Sequence, residues 1–438
     1  MKYLKNKNIL LANQTQKSQL HLKNGYRWLL LALLSCTYLL EQGTRQIYNA
    51  TLPQIRLDFH ASGVTDAQLG MVGTVFGVVF GIAILFAGFA ADFLGRKLVV
   101  VIGTAVFSIG VFLAGFSSGL LALIAFYGVV NALGQCCVAP PCFSLICQHF
   151  EKSRCMAMGV FSSCNYIGVV ICSALAGFIG GLGAGVWRWA FWIFGAFGVV
   201  WVIGLQRMLK PDKAESYVQR DDGMKFGDAF VALVGRPTAV LLVLSFGMFI
   251  YTNLGIYLWA PTYLLRTFPM LTLAGASFHA VFWSSIGSMM GLFAAARVAD
   301  RLATKYPTAR FEMTIVGMAL CALTTLGVSL APTLIGCCFG LFAFGFARGV
   351  LECTVYPAMF DVIVPQFRAA CTGMAGCWAF VFGSLAPTVL GWLSGRFTLR
   401  MGFASLTAFE VIGVALLVFA RLRYLQGDML VLERKEEE

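Results

Sequence analysis

Charged side chains are scarce in this chain: 12% of its residues are Asp, Glu, Lys or Arg, against 59% apolar ones. A soluble chain carries about twice that charged fraction, so the shortage excludes a string of water-soluble domains. Short alternating segments of strand length are missing, which excludes a membrane β-barrel. No G-x-x-x-x-G-K-[ST] loop occurs, so nothing is built to cradle nucleotide phosphates, and no H-E-x-x-H pair occurs for a zinc hydrolase. Gly115 to Gly119 matches G-x-S-x-G by letter, but it ends an apolar run instead of forming a strand-to-helix turn. The 14 Cys show neither C-x-x-C pairs nor zinc spacing and fall mostly inside apolar runs, where reduced packing residues are expected. Met1 to Gly25 is polar and basic, without the cleavage site of a signal peptide. These absences point away from an enzyme, a metal protein and any bound cofactor.

What is present is a series of long apolar runs. Each is about 20 residues or more, enough to cross a hydrocarbon core of roughly 30 Å. Backbone groups in lipid must be satisfied internally, so the runs are expected to be helices. Twelve spans are expected, near 28–52, 67–91, 98–118, 120–147, 156–180 and 190–208, then 238–265, 274–298, 311–331, 333–360, 369–393 and 400–421. The expected organisation is a tail at 1–27, a six-helix bundle at 28–208, a polar linker at 209–237, a second bundle at 238–421 and a tail at 422–438.

The net charge of +12 does not read as a nucleic-acid surface, because the basic residues lie in short clusters between the runs. Taking both termini as cytoplasmic, 25 of the 32 Lys and Arg fall on the inner side. Only Arg56, Arg188, Arg266, Arg396 and Arg400 fall on the outer side. That asymmetry predicts a multi-pass inner-membrane protein with an even number of spans and cytoplasmic ends. The chain also repeats. An offset of 208 carries Pro53 onto Pro261 and Asp92 onto Asp300, and an offset of 214 carries Arg154 onto Arg368 and Gly159 onto Gly373. Two related halves around a central pathway are a transporter plan.

Between the second and third runs the chain reads Gly88-Phe-Ala-Ala-Asp92-Phe-Leu-Gly95-Arg96-Lys97, with a weaker copy at Ala299-Asp300-Arg301. The longer segment resembles the G-x-x-x-D-x-x-G-R-K signature of the major facilitator superfamily. A tight turn favours Gly95, while Asp92 and Arg96 can hold helix ends or pair between elements. The resemblance implies an all-α membrane fold of two pseudo-symmetric six-helix bundles, with Gly88, Asp92, Gly95, Arg96, Lys97, Asp300 and Arg301 as gating-loop residues. Arg45 to Pro53, Gln135 with Pro140-Pro141, and Trp259 to Leu264 look like the branch of organophosphate antiporters, anion symporters and spinster-like transporters. In that branch Arg45 matches a phosphate-binding arginine. Asn253 and Asn165 stand where the other clamp residues, Arg and His, would be, and Gln135 stands where the anion symporters have an acid. The resemblance therefore does not carry the whole phosphate clamp or that coupling route onto this chain.

Ionisable groups deep in a span cost at least a few kcal/mol each and persist where they pair or line a wet cavity. Glu41 and Arg45 are four residues apart on the first span, as are Arg348 and Glu352 on the tenth. Each pair shares a helix face. Two readings stay open: structural ion pairs, or Arg45 and Arg348 as anion ligands with Glu41 and Glu352 competing for them or carrying a coupling proton. Tyr48, Asn49, Gln135, Asn165, Asn253, Tyr257 and Tyr356 are further binding candidates, since amides and phenols hydrogen-bond solutes. They serve equally well as interhelical contacts. Asp361 is expected to gate or to pair with Arg368. The function expected is secondary active transport of a small organic anion — a sugar acid, other carboxylate or phosphorylated metabolite — by a monomer, driven by protons or exchange. Transport of neutral sugars or amphipathic solutes is the alternative, and solute sensing is a third.

Overall fold

The computed structural model describes residues 2–150, 154–210, 226–303, 305–364 and 367–429, excluding the side chains of 2–24, 61, 88, 89, 92, 93, 154, 155, 226, 300 and 369. Helices dominate, as lipid requires, and no strand occurs among the described residues. Their order is α1 (Lys2–Asp58), α2 (Asp66–Leu94), α3 (Arg96–Ala114), α4 (Leu120–His149), α5 (Arg154–Gly180) and α6 (Trp187–Met208). The second set is α7 (Pro237–Thr267), α8 (Leu273–Ala303), α9 (Ala309–Leu330), α10 (Leu334–Phe360), α11 (Ala370–Arg396) and α12 (Leu399–Arg423). Among the described residues, eleven helices are long and apolar enough to cross a membrane. The apolar part of α1 packs among them as the twelfth. The protein is therefore an integral membrane protein of twelve helices in two bundles.

Local chemistry sets the helix ends. Thr65 closes a capping box with Gln68, and Thr333 and Thr398 cap α10 and α12 through their hydroxyls. Pro237 opens α7, where its missing N–H costs nothing. Gly95 alone separates α2 from α3, with φ of 87°. A side chain would strain that turn.

Adding six to each helix number reproduces the packing of one half in the other. The pairs α1–α5, α2–α4, α3–α4 and α3–α6 recur as α7–α11, α8–α10, α9–α10 and α9–α12. Pro53 in α1 and Pro261 in α7 occupy matching places near the helix ends. The halves meet along α2–α11 and α5–α8. On α2, Gly70, Gly73, Gly77 and Gly81 form a bare stripe against Pro387, Ser384 and Phe380 of α11. The Thr74 hydroxyl hydrogen-bonds across this seam to the Ser384 carbonyl at 2.5 Å and the Thr388 hydroxyl at 2.7 Å.

At the end of the molecule where α1 and α7 finish, the buried carboxylate of Asp66 joins the halves. It accepts from both terminal nitrogens of Arg266 at 3.1 Å and from the Ser394 hydroxyl at 2.8 Å. It also pairs with Arg56 of its own half at 2.7 Å.

Two segments outside the expected bundles carry helix. The expected tail at 1–27 is helical from Lys2 and runs into α1 without a break. The expected linker at 209–237 contains a helix, Phe226–Val234, which rests on α7 and α11 and buries Ala229 and Leu233.

Candidate functional site

A cavity of about 450 Å³ lies between the halves, walled by α1, α2, α4, α5, α7, α10 and α11. At depth it reaches Tyr48, Leu258 and Pro387, near the Asp66 seal. Towards the opposite end its walls include Tyr38, Phe143 and Tyr356. Arg45 and Arg348, one from each half, line this one space.

Arg45 is held by a scaffold of neutral and acidic groups. Its Nε donates to Gln135 Oε1 at 3.0 Å and its Nη2 to Glu41 Oε1 at 3.2 Å. The guanidinium lies over the rings of Phe76 and Phe80, 5.2 and 4.7 Å from their centroids, an attraction of about 0.5–2 kcal/mol per ring. Tyr127 donates to the Arg45 carbonyl at 2.7 Å and steadies the backbone. Gln135 reaches Arg45 because α4 is irregular. A wide turn spans Ile124–Asn131, the helix breaks at Cys136 to Val138, and Pro140-Pro141 follows in the next segment. Such wide turns recur at functional sites. The Gln135 amide also donates to Asn131 at 3.0 Å, so its oxygen is oriented towards Arg45.

Arg348 has a different shell. Its Nε donates to Glu352 Oε1 at 2.8 Å, its Nη1 donates to the Tyr257 hydroxyl, and its guanidinium lies 4.9 Å from the Tyr257 ring centroid. The Glu352 side chain is 28% exposed and lines the cavity, whereas Glu41 is only 1% exposed behind Arg45. Glu41 leaves one carboxylate oxygen without a partner. Tyr38, Arg45, Arg348 and Glu352 line the same cavity, while Glu41 lies behind Arg45.

The other expected residues divide into two groups. Tyr48, Asn49, Asn165, Asn253, Tyr257 and Tyr356 all line the cavity. Within it, Tyr48 is committed to the Leu69 carbonyl and Asn49 to Gln46, while the Asn253 side-chain oxygen has no partner. Gln135 is fully buried and does not line the cavity. Its amide is engaged by Arg45 and Asn131.

Asp361 corrects a further expectation. It pairs with Arg310 at 2.9 Å, while Arg368 donates to the carbonyls of Ile363 and Phe360. The neighbouring chain end supplies Arg368 with backbone acceptors, leaving Asp361 to α9. Burial pushes the Asp361 carboxyl above the usual carboxylate range, with Arg310 and, more weakly, Arg368 pulling it back.

In the expected gating loop, Lys97 donates to the Gln206 carbonyl of its own half at 3.0 Å. Gly95 forms the turn and Arg96 begins α3. Arg301 lies in the last turn of α8. The side chain of Asp92 and that of Asp300, with position 88, lie outside the described residues, so the gating contacts assigned to them do too.

Sequence reasoning missed Glu410. It is fully buried in α12 beside Thr325 of α9, and it does not line the cavity. An acid inside an apolar run is the signal that marked Glu41 and applied equally here. The Asp66–Arg266 bond was also missed; no spacing rule pairs residues that far apart.

Residues 34–387 match the Major Facilitator Superfamily. The chain belongs to that family, and it is a membrane transporter, not an enzyme. It is similar to a D-galactonate transporter of Escherichia coli, 22% identical over 88% of this chain and 94% of that one. It is also similar to a probable sulfoacetate transporter of Cupriavidus necator, 23% identical over 84% and 88% of the two chains. In fold it resembles a bacterial homologue of the human lysosomal transporter spinster in an inward-facing, unoccupied conformation. The TM-score is 0.77, with 18% identity over 92% of this chain and 98% of that one.

Proposed function

We propose that the protein is a secondary active transporter of a small organic anion: a sugar acid, another carboxylate or a phosphorylated metabolite. The observation that carries this reading is the pair of guanidiniums, Arg45 and Arg348, lining one cavity from opposite halves. Each keeps terminal N–H groups that protein partners do not occupy. Burying a guanidinium in a membrane protein is costly, and an anion held between two of them recovers charge-assisted hydrogen bonds. The galactonate and sulfoacetate carriers among its relatives move anions, which supports the same class.

Transport proceeds by alternating access. The solute binds at the midplane between the bundles, and the bundles rock to expose it to either side. The chain sits in the inner membrane with both termini in the cytoplasm, and the Asp66 seal faces outward. It works as a monomer, and the gradient that drives it is one of protons or of an exchanged solute.

Uptake into proteoliposomes tests the assignment. Arg45→Ala and Arg348→Ala each abolish anion uptake while leaving yield and monodispersity unchanged. Normal uptake by both variants refutes it. A neutral-solute reading also has support, because each Arg carries its own Glu. Counterflow with neutral sugars separates the two readings.

A further inference from the structure

The site holds four formal charges, and they cancel. Arg45 pairs with Glu41 and Arg348 with Glu352, and Arg45, Arg348 and Glu352 line one cavity. Adding an anion to this closed set leaves an uncompensated negative charge in a low-dielectric space, which is expensive. The cost disappears if one proton arrives with each negative charge.

Geometry decides where that proton goes. Glu41 is almost fully enclosed behind Arg45, whereas Glu352 lines the cavity with a quarter of its side chain open. Glu352 also occupies the Nε of Arg348, and Tyr257 occupies one terminal nitrogen. An arginine fork binds a carboxylate bidentately only when two adjacent N–H groups are free. In the empty site Glu352 takes one of them.

We propose that Glu352 is the proton carrier, and that the site takes singly charged carboxylates with one proton each, so that transport moves no net charge. This rests on the anion reading above and specifies its substrate class and stoichiometry. The proton adds to the Glu352 carboxylate from the solution on the loading side. Glu352 then releases Arg348 Nε, and the substrate carboxylate replaces it beside the free terminal nitrogen. On the other side the proton leaves, ionised Glu352 returns to Arg348, and the returning acid displaces the substrate. Protonation and anion binding therefore strengthen each other, as linkage requires. A doubly charged phosphate ester fits poorly, because one proton leaves the loaded site negative.

The titratable and charged groups around Glu352 are Arg348 and Tyr356 on its own helix, Tyr257 on α7, Tyr166 on α5, Tyr38 on α1 and Cys321 on α9, with Arg45 and Glu41 beyond Tyr38 and Glu410 of α12 beyond Cys321. Of the three carboxylates Glu352 alone lines the cavity, so one proton is carried per cycle.

The test is equilibrium binding of lactate, gluconate, galactonate and benzoate to the purified full chain, from pH 6 to pH 8, in weakly buffered solution with a pH indicator dye. The wild type takes up about one proton per anion bound where Glu352 is ionised in the empty carrier, and there affinity falls about tenfold for each unit of pH rise. Glu352→Gln binds the same anion with affinity independent of pH and without proton uptake. In proteoliposomes it exchanges anion but no longer accumulates it on a proton gradient. Glu41→Gln keeps the pH dependence. Wild-type uptake of the anion generates no current on a supported membrane. Binding without proton uptake by the wild type, a substrate current, or retained pH dependence in Glu352→Gln overturns the inference and leaves the anion site standing. If none of the four acids binds at either pH, the anion reading falls, and the inference with it.

Discussion

The Asp66 carboxylate is the one charged bond between the halves at the sealed end for which the structure gives explicit geometry, and its removal has a calculable effect. Asp66→Asn keeps the volume and loses the charge. Two hydrogen bonds from Arg266 at 3.1 Å and one from Ser394 at 2.8 Å cross between the halves. A hydrogen bond to a charged group contributes about 1.5–3 kcal/mol. Arg266 is a third exposed, so solvent screening discounts its share. Taking about 2 kcal/mol for the cluster, the balance between sealed and unsealed states shifts about 30-fold, and an unsealed state held at ~1% rises to about a quarter of the population. Spin labels on non-natural residues at Ser62 and Thr272, in the loops α1–α2 and α7–α8, report this by double electron–electron resonance without disturbing the native cysteines. Asp66→Asn and Arg266→Gln both gain a longer distance. Arg56→Gln gains much less, because Arg56 pairs with Asp66 within one half. If the Asp66→Asn protein stays folded with an unchanged distance distribution, the carboxylate does not hold the halves together.

Three further outcomes follow from single contacts. Gln135→Ala removes the acceptor for Arg45 Nε and weakens anion binding about tenfold, the value of one hydrogen bond of roughly 1.4 kcal/mol, with unchanged yield; an unaltered Kd refutes the positioning role. Gly345→Ala pushes a methyl group into the Ser284 carbonyl on α8 and destabilises by about 1–3 kcal/mol, seen as a lower Tm in detergent; an unchanged Tm means that α8 and α10 yield there. Glu410→Met replaces a fully buried carboxyl beside Thr325 with an apolar side chain of similar length and raises Tm, since burying a carboxyl among apolar helices costs more than one hydroxyl contact returns; a fall in Tm means that the Thr325 contact or a bound ion outweighs that cost.

Much of the fold is readable from residue order because lipid simplifies the problem. A run such as 311–331 has few alternatives to a helix, and the matching prolines Pro53 and Pro261 expose the duplication. The i, i+4 pairs Glu41–Arg45 and Arg348–Glu352 are also local, so their ion pairs could be anticipated; that they face one cavity depends on how the bundles meet. Partner choice across distance was not legible. Arg368 was expected on Asp361, but backbone carbonyls lie nearer along the chain and α9 brings Arg310 instead. Gln135 precedes a break in α4 and bonds Arg45, a contact that no local spacing announces. The polar residues before Trp28 continue the helix from Lys2, because lysine, leucine and glutamine are good helix formers.

The central claim is that two opposed guanidiniums select a negative charge. The most direct measurement is the ratio of dissociation constants for a carboxylate and its uncharged amide, benzoate against benzamide or gluconate against gluconamide, in the wild type and in Arg45→Ala/Arg348→Ala. The account predicts at least about hundredfold preference for the carboxylate, from charge-assisted bonds of about 1.5–3 kcal/mol to each Arg, and loss of that preference in the double variant. Equal affinity for acid and amide in the wild type, or an undiminished preference once both arginines are gone, contradicts it.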